Sequence, residues 1–249
     1  MSRPRIAVLN AAHDPEHNRR NFRRELDADV TEFDVVGQEF PETLDFDADE
    51  RSSSSGTALP YDGCLVTGSR ASVYWDEEWI EPTKEWVRTA IDRGLPFLGV
   101  CWGHQLLADV LGGRVEPMGE YEIGYRTVER TGDSKLLDGL DGEFTVFTTH
   151  SDAVVELPPG AELIAENDYS VHGFRKDRVF GVQFHPEYDM ETAEYVTEGK
   201  DLPDQRIRKV LDGVNEENYA AACEAKALFD NFVEFVRNAE SPVTSSAVA

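Results

Sequence analysis

Cys101 stands between Gly99 and Gly103 in the segment Pro96 to Leu106, PFLGVCWGHQL, where an apolar strand-like run gives way to a helix-like one. Phe97, Leu98, Gly99 and Val100 read as the end of a buried strand. Gln105, Leu106, Leu107, Ala108, Val110 and Leu111 carry helix-like apolar spacing, and Gly112-Gly113 supplies the stop. A nucleophile at the tip of so sharp a turn is held in a strained backbone, and its flanks must be small for strand and helix to pass closely. The two glycines provide that space. At a helix N-terminus the macrodipole and free backbone N–H groups favour a thiolate, and the N–H of Trp102 can point at an oxyanion formed on attack. The competing reading is a buried structural cysteine, the commoner fate of a free Cys, so the pattern needs a second element.

That element lies in Val179 to Glu187, VFGVQFHPE, a strand-like run ending in His185, Pro186 and Glu187. In extended chain, residues two apart project to one side, and Pro186 biases His185 away from helix. Glu187 can then orient one ring nitrogen of His185 while the other faces a thiol, the arrangement of nucleophile, base and orienter. His150, in Thr149-His150-Ser151-Asp152 after another strand-like run, is a competing base.

These residues give the chain a resemblance to the class I glutamine amidotransferases, of the stand-alone kind similar to the glutaminase domain of GMP synthase. The resemblance runs from about Arg5 to Glu187 and rests on TGSRASVYWDEEWI from Thr67, GVCWGHQLLADVLGG from Gly99, THSDAVVELPPG from Thr149 and GVQFHPE from Gly181. It implies that Cys101 attacks the side-chain amide of glutamine, that His185 serves as general base and then acid, and that Glu187 orients it. It further implies an oxyanion hole from the backbone of Trp102 and of Ser69, and contacts to the substrate from Gly68, Gln105, His150, Ser151 and Asp152. Where many relatives show Gly-Gly-Pro this chain has Gly68-Ser69-Arg70, which makes the backbone conformation at Ser69 a point for the structure to answer.

The other candidate groups have plainer readings. His104 sits on the helix after the elbow and reads as a packing histidine, while His13, His17 and His172 show no obvious partner. No spacing among His, Cys, Asp and Glu suggests a zinc site, and no metal or other cofactor is expected. Cys64 and Cys223 read as buried spectators, and three cysteines without paired spacing argue for a reducing, cytoplasmic compartment. No apolar run reaches membrane-spanning length, and no signal-like apolar region follows Arg19-Arg20 or Arg23-Arg24.

Acidic residues number 49 against 24 basic ones, a formal net charge of −25, and the basic set holds 6 Lys against 18 Arg. Such an excess repels nucleic acid and anionic membrane, and its spread along the chain rules out a simple acidic tail. It points to a protein adapted to high salt, where screening removes self-repulsion.

The elements that must position Cys101 and His185 follow from periodicity. Strands are expected at Arg5 to Asn10, Val30 to Val36, Gly63 to Thr67 and Phe97 to Val100, and helices at Glu16 to Leu26 and Glu77 to Arg93. From Arg114 the texture changes to short strand-like runs at 122–128, 144–149, 153–157, 162–167, 170–175 and 178–184, followed by a helical segment over 216–238. The fold class is therefore α/β: an open, mostly parallel sheet flanked by helices, with an antiparallel extension and active groups at the carboxyl ends of strands. The resemblance implies a flavodoxin-like form of it. A single domain over 1–239 is expected, with an acidic, Ser-rich insertion at 45–57, a lid or docking surface over 188–214, and a frayed tail at 240–249.

The leading expectation is a glutaminase that passes ammonia to a separate synthase. The alternatives are a self-sufficient γ-glutamyl hydrolase acting on γ-glutamyl amines or peptides, and a catalytically silent regulatory subunit. DJ-1-like and PfpI-like proteins share an elbow cysteine but place a histidine directly after it, where this chain has Trp102.

Overall fold

The computed structural model describes residues 3–42 and 60–239. The expected insertion at 45–57 and the tail at 240–249 lie outside the described residues. Nine strands form one sheet in the order β2-β1-β3-β4-β9-β8-β7-β5-β6. Strands β1 (Arg5–Asn10), β2 (Asp29–Asp34), β3 (Gly63–Val66), β4 (Phe97–Val100) and β9 (Val179–Val182) pair in parallel. The antiparallel extension is built from β5 (Arg114–Arg130), β6 (Glu143–Glu156), β7 (Glu162–Glu166) and β8 (Val171–Lys176).

Alternation along the parallel strands divides the core in two. Ile6, Val8, Leu65, Leu98, Val100, Phe180 and Val182 face one side and pack with Phe22 of helix α1 (Glu16–Glu25) and with Phe229, Phe232 and Val236 of the C-terminal helix α7 (Ala227–Ala239). Ala7, Leu9, Cys64, Val66, Phe97 and Val179 face the other, against Trp86 and Val87 of α2 (Ile80–Asp92) and Trp102, Leu106 and Leu107 of α3 (Trp102–Val110). Burying both faces of a sheet calls for the near-continuous apolar runs these strands have.

Several boundaries differ from expectation. The helix expected from Glu77 begins at Ile80, with Trp79 as its N-cap residue. The separate runs at 144–149 and 153–157 are one strand, β6, which pairs antiparallel with β5 on both sides of a register shift at Ser151, between the Glu122–His150 and Pro117–Asp152 pairs. The helical stretch over 216–238 is broken into α6 (Glu216–Ala222), a short 3-10 turn at Cys223–Lys226, and α7. Cys223, expected to be buried, is half-buried on that turn, whereas Cys64 is fully enclosed. Two further helices, α4 (Met190–Glu198) and α5 (Asp204–Asp212), fill the segment after His185.

Candidate active site

Three adjacent parallel strands deliver their C-terminal ends to one place. β3 leads into Thr67 and Gly68, β4 into Cys101, and β9 into Gln183, Phe184 and His185. Cys101 caps α3 with φ 54° and ψ −104°, a left-handed backbone that a non-glycine residue adopts only when its surroundings over-determine it. The surroundings are the glycines. A Cβ on Gly99 would fall 2.3 Å from the carbonyl oxygen of Gly103, and one on Gly103 would fall 2.2 Å from that of Val66, so neither position has room for a side chain. The Cys101 N–H donates to the Val182 carbonyl (2.8 Å), which ties the elbow to β9 and hence to His185.

His185 and Glu187 meet as the two-residue spacing requires: Nδ1 of His185 and Oε1 of Glu187 are 2.8 Å apart, and both side chains are buried. Burial works against an imidazolium here, but the charges of Glu187 and Cys101 and hydrogen bonds to both outweigh it and push His185 up to about 10. The ring also stacks on Tyr188, with centroids 4.1 Å apart. Gly68 completes the enclosure: a Cβ there would stand 2.9 Å from Cε1 of His185 and 3.6 Å from Cβ of Cys101. Cysteine, imidazole and carboxylate thus form one contiguous set.

Trp102 and Ser69, the positions expected to supply an oxyanion hole, both adjoin Cys101, one in sequence and one across the cavity. Trp102 opens α3, where the first-turn N–H groups have no carbonyl partner within the helix. Ser69 is not among the residues with positive φ, so the replacement of the family glycine introduces no left-handed strain, and its hydroxyl accepts from the Ala71 N–H (3.2 Å).

The residues expected to touch substrate are mostly held by one another. Gln105 donates through Nε2 to the Asp152 carbonyl and to Oε1 of Gln183, both at 3.0 Å. The Asp152 carboxylate accepts from the hydroxyls of Ser72 and of Tyr74. His150, the competing base, has Nδ1 on the Asp152 carbonyl (2.9 Å) and Nε2 on Glu122 (2.8 Å), so both ring nitrogens are committed away from the thiol.

Glu122 is the residue that sequence reasoning missed. It is fully buried and accepts hydrogen bonds from His150, from Nε2 of His172 (3.1 Å) and from Nδ2 of Asn167 (2.7 Å). Burial alone would raise its carboxyl, but the two histidines hold it far below the usual carboxylate range. His172, expected to lack a partner, is therefore part of a buried hub. The ligand atoms of Glu122, His150 and His172 lie within 4.8 Å of one another, a donor set of the kind zinc takes, although their spacing along the chain does not suggest one. Separations of 2.8 and 3.1 Å are those of direct hydrogen bonds, which account for the cluster as it stands. His17 and His13 also have partners, in Tyr195 (stacked at 4.3 Å) and Trp79. His104 is a packing histidine against Phe174, and burial lowers it to about 3.

Two cavities open from Cys101 and share Ser69, Arg70, Thr149 and Lys200 on their common rim. One, of about 250 Å³, reaches Gln105, His150, Ser151 and Asp152. The other, of about 200 Å³, lies on the side of His185 and is walled by Tyr188, Tyr195 and Val196 from the segment after Glu187, and by His13 and His17.

The family model for class I glutamine amidotransferases matches residues 36–199. The chain belongs to the class I glutamine amidotransferase family. The chain is 36% identical over 176 residues to the glutamine-hydrolysing GMP synthase of Staphylococcus aureus, a match covering 69% of this chain and 30% of that enzyme. It therefore spans about a third of the length of the relatives it matches in sequence. Among solved structures, a glutamine amidotransferase from Thermotoga maritima superposes with a TM-score of 0.74 at 22% identity, covering 94% of this chain and all of that one. A protein from Thermoplasma acidophilum, proposed to be a component of GMP synthase, gives 0.65 at 21% identity, with 96% of each chain covered. At these identities the superpositions establish a shared flavodoxin-like α/β fold. Among the described residues, no helix is long and apolar enough to cross a membrane.

Proposed function

We propose that this amidotransferase hydrolyses the side-chain amide of glutamine through a cysteinyl γ-glutamyl thioester and supplies the ammonia to a separate synthase. The observation that carries the reading is the contiguous set of Cys101 in its strained elbow, His185 raised by its neighbours, and buried Glu187.

The Cys101 sulfur attacks the amide carbon, and the developing oxyanion is met by the backbone N–H groups of Trp102 and Ser69. His185 holds the proton taken from the thiol and gives it to the departing nitrogen as the C–N bond breaks. It then accepts a proton from water, which attacks the thioester, releases glutamate and restores the thiol. Glu187 fixes the ring by holding Nδ1–H, so that Nε2 faces the sulfur. Gly68 leaves the ring the space it occupies. Gln105, His150, Ser151 and Asp152 shape the pocket for the glutamyl group, His150 and Asp152 as braced scaffold.

The relationship to GMP synthase supports an acceptor of that general kind, a synthase that consumes ammonia. The three free cysteines fit action in the cytoplasm. Release of glutamate and ammonia from glutamine, measured for the wild type and for Cys101→Ala, tests the assignment. Turnover should fall by orders of magnitude in the variant, and full activity in it would remove Cys101 from the mechanism. The His185→Asn and His150→Asn pair then separates base from scaffold, with the larger loss expected at His185.

A further inference from the structure

Two cations stand at the mouth of the site with nothing to neutralise them. Arg70 and Lys200 line both cavities that open from Cys101. Among the described residues neither side chain makes an ion pair or a hydrogen bond, in a chain where 49 acidic residues face 24 basic ones. Carboxylates do line the same cavities, in Asp14, Asp152 and Asp201. Asp152 accepts from Ser72 and Tyr74, and Asp14 accepts from the Tyr195 hydroxyl (2.9 Å), while Asp201 lies within ion-pair distance of neither cation.

The two cations converge on one place. Lys200 follows Gly199, the C-cap of α4, and its backbone N–H donates to the Thr197 carbonyl (3.2 Å). Arg70, on the loop after β3, lays its guanidinium beside the same glycine, where a Cβ on Gly199 would stand 3.2 Å from Nη2. The negative end of the α4 dipole favours cations there but supplies neither side chain with a hydrogen-bond partner. Short steps lead from Lys200 to the sulfur. Its Nζ lies 5.1 Å from the centroid of the Tyr121 ring, the Tyr121 hydroxyl is 3.2 Å from Oγ1 of Thr149, and the Thr149 carbonyl is 3.9 Å from Sγ of Cys101.

Glutamine bound for attack at its side-chain amide carries one anionic group at its other end, the α-carboxylate. Building on the glutaminase assignment of Cys101 made above, we infer that Arg70 and Lys200 hold this carboxylate. The site then selects free glutamine over glutamine whose α-carboxylate is blocked, as an amide or within a peptide. A guanidinium can give a carboxylate two parallel N–H donors, and an ammonium adds a compact charge. Arg70 stands where many relatives have proline, so the guanidinium belongs to this chain and not to the motif that carries the resemblance.

The test compares kcat and KM for L-glutamine and L-glutaminamide in wild type, Arg70→Gln, Arg70→Lys and Lys200→Gln, all at one KCl concentration because salt screens exposed charges. Wild type should prefer glutamine. In Arg70→Gln and Lys200→Gln that preference should shrink at least about tenfold, mainly through the KM for glutamine, as loss of a charge-assisted hydrogen bond does. Arg70→Lys should regain part of it. Arg70 is exposed, and turnover of glutaminamide in the same variants reports whether the site is still formed. A second readout needs no chemistry: calorimetric binding of L-glutamine and L-glutaminamide to Cys101→Ala, with and without Arg70→Gln, should show the same preference and the same loss. Glutamine turnover with a preference equal in wild type and variants, or with none in wild type, would overturn the inference while leaving the glutaminase reading intact. Binding that favours glutamine and weakens with Arg70→Gln, without turnover by the wild type, would do the reverse.

Discussion

Gly68 and His185 occupy mutually exclusive space: the position of a Cβ on Gly68 is 2.9 Å from Cε1 of the imidazole, closer than real Cβ contacts come. The ring has little freedom to yield, because Nδ1 is held by Glu187 and its face lies on Tyr188. Gly68→Ala should therefore displace His185 from Cys101 without disturbing the sheet. Glutamine turnover should fall by about 100-fold, the cost of misplacing a reacting group by about 1 Å, while the melting temperature stays within a few degrees of wild type. Equal loss of stability and activity would mean that the glycine serves the fold.

Glu187 and Cys101 together raise His185 to about 10, and the sign of the effect on stability follows. A histidine whose folded value lies above its unfolded value binds its proton more tightly in the native state. The pair thus stabilises the fold fully below about pH 6.5 and loses that contribution as pH rises towards 10. In Glu187→Gln the largest charge favouring the imidazolium is gone, so the ring should titrate lower. Difference melting curves between pH 6 and 10 and NMR titration of His185 check this. An unshifted titration in the variant would place the cause elsewhere.

The parallel half of the sheet and the elbow were legible in the sequence because both follow from local pattern. Phe97 to Val100 has no polar residue, and Gly99 and Gly103 are required by the close pass of strand and helix. His185 and Glu187 were legible because period two is a property of extended chain. Glu122 was not. It shares one side of β5 with Gly124, Arg126 and Val128, a mixed side that reads as facing solvent. Only the fold brings His150 of β6 and His172 of β8 to it across the sheet. The cavity beside His185 was equally hidden, since it joins His17 near the N-terminus to Tyr195 in a segment without motif.

Glu122→Ala would leave His150, His172 and Asn167 without their common acceptor in a buried site. Breaking such a pair by removing one partner costs about 3–5 kcal/mol, which denaturant unfolding would read directly. The pH dependence has the opposite sign to that of His185. The folded carboxyl is held far below its unfolded value, so its contribution is present above about pH 4.5 and is lost progressively as pH falls below that. Wild type and Glu122→Ala should therefore converge in stability in acid. A constant difference down to pH 2 would show that packing, and not the charge, is what Glu122 supplies.

The formal charge of −25 predicts that stability depends on salt. Some carboxylates are neutralised locally, as where Arg20 and Arg24 of α1 clamp Asp189, the residue that caps α4. With 49 acidic residues and 24 basic ones, most cannot be paired this way and repel one another in dilute buffer. At molar salt the Debye length is about 3 Å and that repulsion disappears, whereas at 0.01 M it reaches about 30 Å, the scale of the whole domain. Lowering KCl from molar to millimolar should reduce the melting temperature by roughly 10 °C or more, as a change of several kcal/mol does in a chain of this size. Because the Arg20 and Arg24 pairs gain strength as salt falls, Arg24→Gln should be most destabilising at the low end of the series. A melting temperature that holds or rises as salt is removed would show that the acidic surface is not an adaptation to salt.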